Sequence, residues 1–479
     1  MKEVLIGRKK EREILLKALD SGESEMIAVI GRRRVGKSFL IKQCYAERIV
    51  FELVGLQNAN NAGQLRNFRT ALAERSTSPA EVKKPTDWLE AFFHLAQHLD
   101  QAEIPDKSVV FLDELPWLAG KKSNFLTGLG WFWNSWAVNR NIIVVVCGSA
   151  ASWMIEKVVN DRGGLYNRIT KRIYLQPFTL AETEAYLLAR NIRFNRYQIV
   201  QMYMAMGGIP HHLKEIEAGK SAVQNINDIC FSQNGLLRDE FPRLYPSLFA
   251  NAQHHLAAVR ALASARQGLT RQDIVKKAQL PEGGNTSTML EELEQSGFVT
   301  AYYPFDKKKK DKLIRLTDEY SLFYLYFIEN QQNQGADTWQ HLSQTQAWIS
   351  WSGYAFESIC IKHLSQIKKK LSIAGVYAEA SSYRQRTANG TPGLQIDLVL
   401  DRRDQVINLF EMKFYASPWS MTHSEAIGLL EKTELFKKHT DTTKQVFMTV
   451  VAAMGIYPNE HSLMAVDSII TLDDLFEKP

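Results

Sequence analysis

Apolar positions along this chain fall into three successive regimes. Over roughly the first 178 residues, short unbroken apolar runs alternate with stretches of helical periodicity. Glu25-Met26-Ile27-Ala28-Val29-Ile30 stops at Gly31, Ser108-Val109-Val110-Phe111-Leu112 runs into Asp113-Glu114, and Ile142 to Cys147 runs into Gly148-Ser149. Runs of this length without polar alternation fit strands buried on both faces. Strands that alternate with helices predict an α/β fold with a parallel sheet covered on both sides. Ligands in such a sheet gather at the carboxyl ends of the strands, where all three polar signals fall.

From about Thr179 to Asp239 the periodicity turns mostly helical. Between Asn251 and Thr317 it predicts helices at 252–264, 270–278 and 286–296, then a strand through Phe298 to Tyr303, a basic tip Lys307 to Lys310, and a return strand Leu313 to Leu316. Three helices followed by a basic-tipped hairpin suggest a winged helix-turn-helix over 246–329. The polar stretch from Asn330 to about 350 reads as a linker. Beyond it, a helix near 353–371, strands near 374–380, 394–400 and 405–412, a helix near 422–438 and a strand near 445–452 make a separate α/β domain, 351–479.

Composition narrows the class. The chain has 479 residues, 45% hydrophobic and 23% charged, the balance of a globular protein. No apolar run approaches the ~20 residues that span a bilayer, and the amino terminus lacks the pattern of a secretory signal. A cytoplasmic location is the default expectation, and no membrane partner is expected. The four cysteines, Cys44, Cys147, Cys230 and Cys360, are scattered and read as core residues. A net charge of +6 leans toward a polyanionic partner without proving one.

Chemistry enters with Gly31-Arg32-Arg33-Arg34-Val35-Gly36-Lys37-Ser38, which meets the pattern G-x-x-x-x-G-K-[ST] between a strand and a helix. Such a loop cradles phosphates on backbone N–H groups, with the helix dipole behind them. Lys37 is expected to reach the β- and γ-phosphates of ATP and Ser38 to meet Mg²⁺. The nucleotide-binding set is Gly31, Arg34, Val35, Gly36, Lys37, Ser38 and the following Phe39. Asp113 at the end of its strand is expected to hold Mg²⁺ through water, and Glu114 to polarise the attacking water.

These motifs, with Ile6-Gly7-Arg8-Lys9-Lys10-Glu11, Phe111-Leu112-Asp113-Glu114-Leu115-Pro116, Cys147-Gly148-Ser149 and Gly207-Gly208-Ile209-Pro210, resemble the archaeal-type ATPases of the AAA+/STAND group of P-loop NTPases over roughly residues 1–330. The resemblance implies an ATPase core at 1–178 and a helical lid at 179–245. It puts Ser149 at the sensor position near the γ-phosphate and brings Gly208 and Pro210 of the lid to the nucleotide. It also offers Arg168 as a γ-phosphate-sensing arginine, acting in its own subunit or in a neighbour, with Arg162, Arg172 and Arg238 as rivals.

A second constellation closes the chain. Glu411 and Lys413 share one face of a strand, because side chains alternate with period two, and Asp397 lies on the preceding strand. Two carboxylates that hold Mg²⁺ beside a lysine are what phosphodiester cleavage needs. With Glu357 on the preceding helix, this region resembles the PD-(D/E)xK nuclease superfamily, a restriction-endonuclease-like α/β fold, although Ile396 stands where the motif's proline would be. The resemblance implies catalytic roles for Glu357, Asp397, Glu411 and Lys413, with Asp397 and Glu411 as metal ligands. The reading is an ATP-hydrolysing switch joined to a Mg²⁺-dependent DNA nuclease, in genome defence or mobile-element biology by analogy. The alternative is an ATPase that binds DNA or a protein without cutting, its last domain an inactive recognition module. Partners consistent with either are DNA, further copies of the chain and a regulatory protein. Tyr383, Arg384 and Arg386 are candidates only for touching a substrate backbone.

Overall fold

A computed structural model of the chain describes residues 5–76, 78–102, 106–120, 122–161, 163–249, 251–305, 311–329, 337–385 and 393–478. The chain divides into two compact units, Met1–Pro177 and Phe178–Pro479, a seam next to the boundary expected at 178/179.

The first unit is built on five strands: β1 (Glu25–Ile30), β2 (Ile49–Val54), β3 (Ser108–Asp113), β4 (Ile142–Gly148) and β5 (Lys171–Tyr174). They form one sheet in the order β2-β3-β4-β1-β5, parallel at every pairing. β1, β3 and β4 are buried along their whole length, which explains why their sequences run apolar without alternation. β4 lies between β1 and β3, so the residue that follows it, Ser149, emerges between the Gly31 loop and Asp113. Trp88, Phe92, Phe125 and Phe132 pack as an aromatic cluster with ring separations of 4.6–6.1 Å. Trp133 and Trp136 are buried beside them, as packing rather than chemistry.

The second unit opens with helices Leu180–Ala189, Arg196–Met206 and Ala222–Cys230. Helices Ala252–Ala263, Arg271–Ala278 and Gly284–Gln295 follow, then an antiparallel hairpin of β6 (Val299–Tyr302) and β7 (Leu313–Leu316). The basic tip Lys307 to Lys310 lies outside the described residues. A second sheet has the order β12-β11-β10-β9-β8, formed by β8 (Ala378–Gln385), β9 (Leu394–Arg402), β10 (Val406–Lys413), β11 (Gln445–Ala452) and β12 (Ser468–Ile470). β8, β9 and β10 run antiparallel to one another, and β10, β11 and β12 run parallel.

The expected linker is not one over its described part. Thr338–Leu342 is helical, and Trp339, only 1% exposed, stacks on Phe231 with ring centroids 5.6 Å apart. The next helix begins at Gln346 and runs to Lys362, burying Trp348 and Trp351. A tryptophan-rich segment between two folded regions is held by packing, a signal that outweighs the polar composition around it. Residues 330–336 lie outside the described ones.

One hydrophobic cluster runs from Phe178 to Phe476 and joins the helices to one side of the β8–β12 sheet, while a second, with Tyr383, Leu429 and Phe436, packs the helix His423–Thr440 on that sheet. Polar ties reinforce the first. His363, buried at the end of the helix Gln346–Lys362, accepts the Leu180 N–H at Nε2 (3.1 Å), and its Nδ1 lies 2.8 Å from the Ile359 carbonyl. Burial holds its pKa down at about 4, which keeps it neutral and fixes the proton on Nδ1. Among the described residues, no helix is long and apolar enough to cross a membrane.

Candidate functional site

In the first unit, β1 ends at Ile30 and the helix Lys37–Tyr45 begins directly after the loop. Its two motif glycines serve different ends. A Cβ on Gly31 would stand 2.5 Å from the Leu175 carbonyl oxygen, so this glycine lets the loop pass beneath the end of β5. Gly36 has open space around it but takes φ +94°, a left-handed conformation that glycine adopts without strain. Arg34 also has a positive φ, 71°. Val35 is buried, and its carbonyl accepts a bond from Arg8 Nη2 (3.1 Å), while Arg8 Nη1 reaches the Gln176 carbonyl at 2.5 Å. Arg8 thus braces the loop from below, a role the sequence motif does not announce. Phe39 is half-buried in the first turn of the helix.

Lys37 is buried, and its ammonium donates to the Arg32 carbonyl at 3.1 Å, within the loop that would surround a phosphate. Ser38 Oγ donates to Asp113 Oδ2 at 2.5 Å. That hydroxyl and carboxylate, drawn together from the loop and from β3, are the oxygen donors a Mg²⁺ ion prefers. Glu114 sits in a left-handed conformation, φ 49°, with its N–H bonded to Asp113 Oδ1 at 2.8 Å. Its carboxylate accepts from Ser149 Oγ (2.8 Å) and from the Ser149 N–H (3.3 Å). The sequence set Lys37, Ser38, Asp113, Glu114 and Ser149 therefore converges at the carboxyl ends of β1, β3 and β4.

Arg168 does not join it. It is exposed on the turn before β5, and two residues on, the Thr170 N–H bonds the Met26 carbonyl at the start of β1. The loop begins at the far end of β1, about 16 Å away at ~3.3 Å per residue. In its own subunit Arg168 is therefore at the wrong end of the sheet. Arg172 is exposed on β5 beside Ala28, and Arg162 lies outside the described residues. Gly208, Pro210 and Arg238 belong to the second unit. Gly208 has a packing reason for being glycine: its carbonyl accepts the Phe178 N–H at 2.7 Å, and a Cβ would stand 2.0 Å from the Phe178 oxygen. Pro210 opens the short helix Pro210–Leu213. Two buried histidines of this unit serve packing: His212 has Nδ1 3.0 Å from the Met206 carbonyl, and His255 stacks on Phe249 and meets Glu292 at 2.7 Å.

In the second unit, the side chains of Glu357, Asp397, Glu411 and Lys413 line a single cavity of about 870 Å³. β9 and β10 are in register through the pair Phe410–Leu398, and Glu411 and Asp397 are the next residues along each strand. Lys413 Nζ meets Glu411 Oε1 at 2.8 Å, and Lys432, from the helix His423–Thr440, meets Glu411 Oε2 at 2.6 Å. Burial pushes the Glu411 carboxyl up, but the two ammonium groups outweigh it and hold it below the usual range. The same pairing outweighs burial at Lys413 and raises its pKa. Asp397 accepts from Gln395 at 2.8 Å.

Glu357 behaves differently. Burial, reinforced by the charges of Asp397 and Glu411 and opposed by Arg315, pushes its carboxyl up to about 8. Arg315 comes from β7, outside the sheet. It lies 3.7 Å from Glu357 and bonds Ser358 Oγ (3.0 Å) and the Tyr354 hydroxyl (3.3 Å). Arg315 and Lys432 carried no local sequence signal, because each meets the site only through tertiary packing. The expected metal pair thus lines one cavity, with the Glu411 charge already shared by two lysines. Among the described residues, no group of three or more His, Cys, Asp or Glu is arranged to hold a metal ion.

The first of these sites has counterparts among known proteins. Residues 5–216 match the family model described as an ATPase domain predominantly from Archaea. An uncharacterised protein of Methanocaldococcus jannaschii is 21% identical over 415 residues, 86% of this chain and 88% of the relative. That alignment is longer than the ATPase match, so the similarity continues into the remainder of the chain. Among solved structures, a Walker-type ATPase of Pyrococcus abyssi covers 68% of this chain and 97% of its own at 16% identity and a TM-score of 0.49. The ORC2 protein of Aeropyrum pernix, solved with ADPNP and ADP, covers 72% and 98% at 16% identity and a TM-score of 0.41. The loop, the Ser38–Asp113 pair and the family match agree: residues 5–216 carry a P-loop ATPase domain of archaeal type.

Proposed function

We propose that this protein is an ATP-hydrolysing switch that governs a Mg²⁺-dependent phosphodiester-cleaving site of the PD-(D/E)xK type acting on DNA. The observation that carries the second half is the meeting of Glu357, Asp397, Glu411 and Lys413, from one helix and two strands, on one cavity. A charged group of this kind, set among apolar strands, is costly to bury unless it has partners or work to do.

At the nucleotide site, Mg²⁺-ATP when bound supplies the reactive phosphoryl group. Lys37 exchanges its bond to the Arg32 carbonyl for phosphate oxygens, and the loop N–H groups and helix terminus neutralise the charge that develops. Ser38 and Asp113 would hold the ion. Glu114 orients water once its bond to Ser149 is released, which couples the sensor serine to the acid that follows β3. Gly208 and Pro210 close on the nucleotide in this reading, and Arg168 acts only on a neighbouring copy.

At the second site, a Mg²⁺ ion when bound supplies a polarised phosphate and an activated water. Asp397 and Glu411 would hold it. Lys413, which now pairs with Glu411, would stabilise the charge on the phosphate. The helices and hairpin of 252–316 form a winged helix that contributes one wall. Genome defence or mobile-element biology is the setting the resemblance suggests. Incubating labelled DNA with Mg²⁺ or Mn²⁺, with and without ATP, tests this directly. Cleavage by the wild type and none by Lys413→Ala is the expected result, and equal cleavage by both sinks the assignment. The second reading, binding without cutting, draws on the two lysines that already neutralise Glu411. DNA binding that falls steeply with salt, without cleavage, would establish it.

A further inference from the structure

The cavity that holds the four charged residues has a second wall, supplied from outside the β8–β12 sheet. Arg266, Tyr302 and Arg315 line it from the helices and hairpin of 252–316, and Arg384 on β8 and Tyr415 just after β10 line it from the sheet. This wall is built in rather than laid on. The Phe305 N–H bonds the Ser382 carbonyl at 2.7 Å, next to a bridge between Pro304 and Ser382, so the chain leaving β6 pairs with β8. Lys362 bonds the Thr317 carbonyl (2.6 Å) and Glu319 (2.5 Å), and Arg315 ties β7 to Tyr354 and Ser358.

The walled space is about 870 Å³, inside the range of roughly 300–1,000 Å³ typical of pockets that enclose a small molecule. A duplex is gripped along an open surface that follows its grooves and both phosphate chains. Its full girth does not fit within a partly open cavity of this volume. The lining speaks for nucleic acid of another form. Two tyrosines with reachable rings, half-buried Tyr302 and exposed Tyr415, stand among basic side chains. Arginine and lysine that follow a backbone, with rings on which bases stack, are the means by which unpaired strands are held. Arg266 and Arg384 are both exposed at the site, and the Arg266 charge is felt at Glu357. Arg266 lies 5.7 Å over the Tyr354 ring.

We propose that this cavity seats a short single-stranded segment of nucleic acid, a flexible end or an unpaired stretch, and that the hairpin wall excludes duplex. The proposal rests on reading Asp397, Glu411 and Lys413 as a phosphodiester site, and binding can be measured apart from cleavage. The full-length wild type, without divalent ions, would be titrated by fluorescence anisotropy with a labelled 12-nucleotide strand and with the same sequence as duplex, at fixed physiological salt. The strand is expected to bind at least ten-fold more tightly. Arg266→Ala with Arg384→Ala should weaken strand binding about ten-fold or more and leave duplex binding unchanged. Both side chains are exposed, and a thermal melt of the variant checks that it is folded.

Duplex binding as tight as strand binding would overturn the proposal, as would strand affinity indifferent to the two arginines. Displacement of the strand by micromolar dAMP would assign the cavity to a free nucleotide and overturn it too. If the strand binds as expected but stays intact with Mg²⁺ or Mn²⁺, the cleavage reading fails while the cavity assignment stands. Cleavage of duplex with no preference for the strand would overturn the cavity assignment and leave the cleavage reading in place.

Discussion

The two charged sites of this chain are assembled by opposite means. In the first unit the chemistry is written into backbone: one loop between a strand and a helix, shaped by Gly31 beneath the Leu175 carbonyl and by the left-handed Gly36. The side chains proposed to hold the ion, Ser38 and Asp113, come from the loop and from β3 and already touch. In the second unit no backbone cradle exists among the described residues. Glu357, Asp397, Glu411 and Lys413 stand on one helix and two strands, while Lys432 and Arg315 arrive from two further elements to balance them. A backbone site survives the loss of most side chains around it. A side-chain site depends on every partner, because each buried charge leans on the next.

That contrast predicts different responses to substitution, and the largest lie in catalysis. Glu114→Gln should bind ATP normally and lose turnover by about 10²–10⁴-fold, the usual worth of a positioned general base. Phosphate release measured beside nucleotide affinity checks this, and normal turnover would remove Glu114 from its role. Lys413→Ala should abolish cleavage of nucleic acid while leaving ATP hydrolysis untouched, so the two sites fail separately.

Next comes stability. Glu411→Ala removes the carboxylate that Lys413 and Lys432 share, which should cost about 1–3 kcal/mol in the metal-free protein. Asp113→Asn, at a site where backbone carries the shape, should cost under about 1 kcal/mol. Denaturant melts of both variants would erase the comparison if the two costs were equal. Lys37→Ala follows. Loss of its charge-assisted bonds to phosphate should weaken ATP binding about 100-fold, read by calorimetry, with no change in nucleic-acid affinity.

The smallest effect is a slope. The Glu357 carboxyl keeps its proton up to about pH 8 in the folded state, against an ordinary value of 4.5. The folded state therefore binds more protons across that window, and stability falls as pH rises through it. Glu357→Gln cannot ionise. The metal-free variant should gain a few degrees in Tm over the wild type at pH 8.5 and show little difference at pH 4.5. An unchanged difference at the two pH values would show that Glu357 is not the group responsible.

The same contrast explains how much was legible in the sequence. The strands before Gly31, Asp113 and Ser149 were readable because a fully buried parallel strand must be continuously apolar, and a phosphate loop must keep its glycines in order. The strands from 394 to 452 and the Asp397, Glu411, Lys413 spacing were readable for similar local reasons. Arg8 beneath Val35, Arg315 beside Glu357 and Lys432 beside Glu411 were not, since their partners lie far along the chain. Arg168 lies at the wrong end of its own sheet for the in-subunit role; a motif match gives position in sequence and not which end of a strand a residue occupies. The stretch after 337 misled because its polar residues hid Trp339, Trp348 and Trp351, whose packing is tertiary.

The cluster from Phe178 to Phe476 bears on how this chain can be taken apart. A bench scientist who cuts at 350, to isolate the last sheet, would strip Trp351 of Phe323 and Phe327, and His363 of Leu180. The piece would expose aromatic surface and clump. A cut after Pro177 passes between the two compact units instead. Fragments for biochemistry are best made there. Evolution meets the same restriction: the last sheet cannot easily be swapped for another without the helices that precede it, so the two travel together.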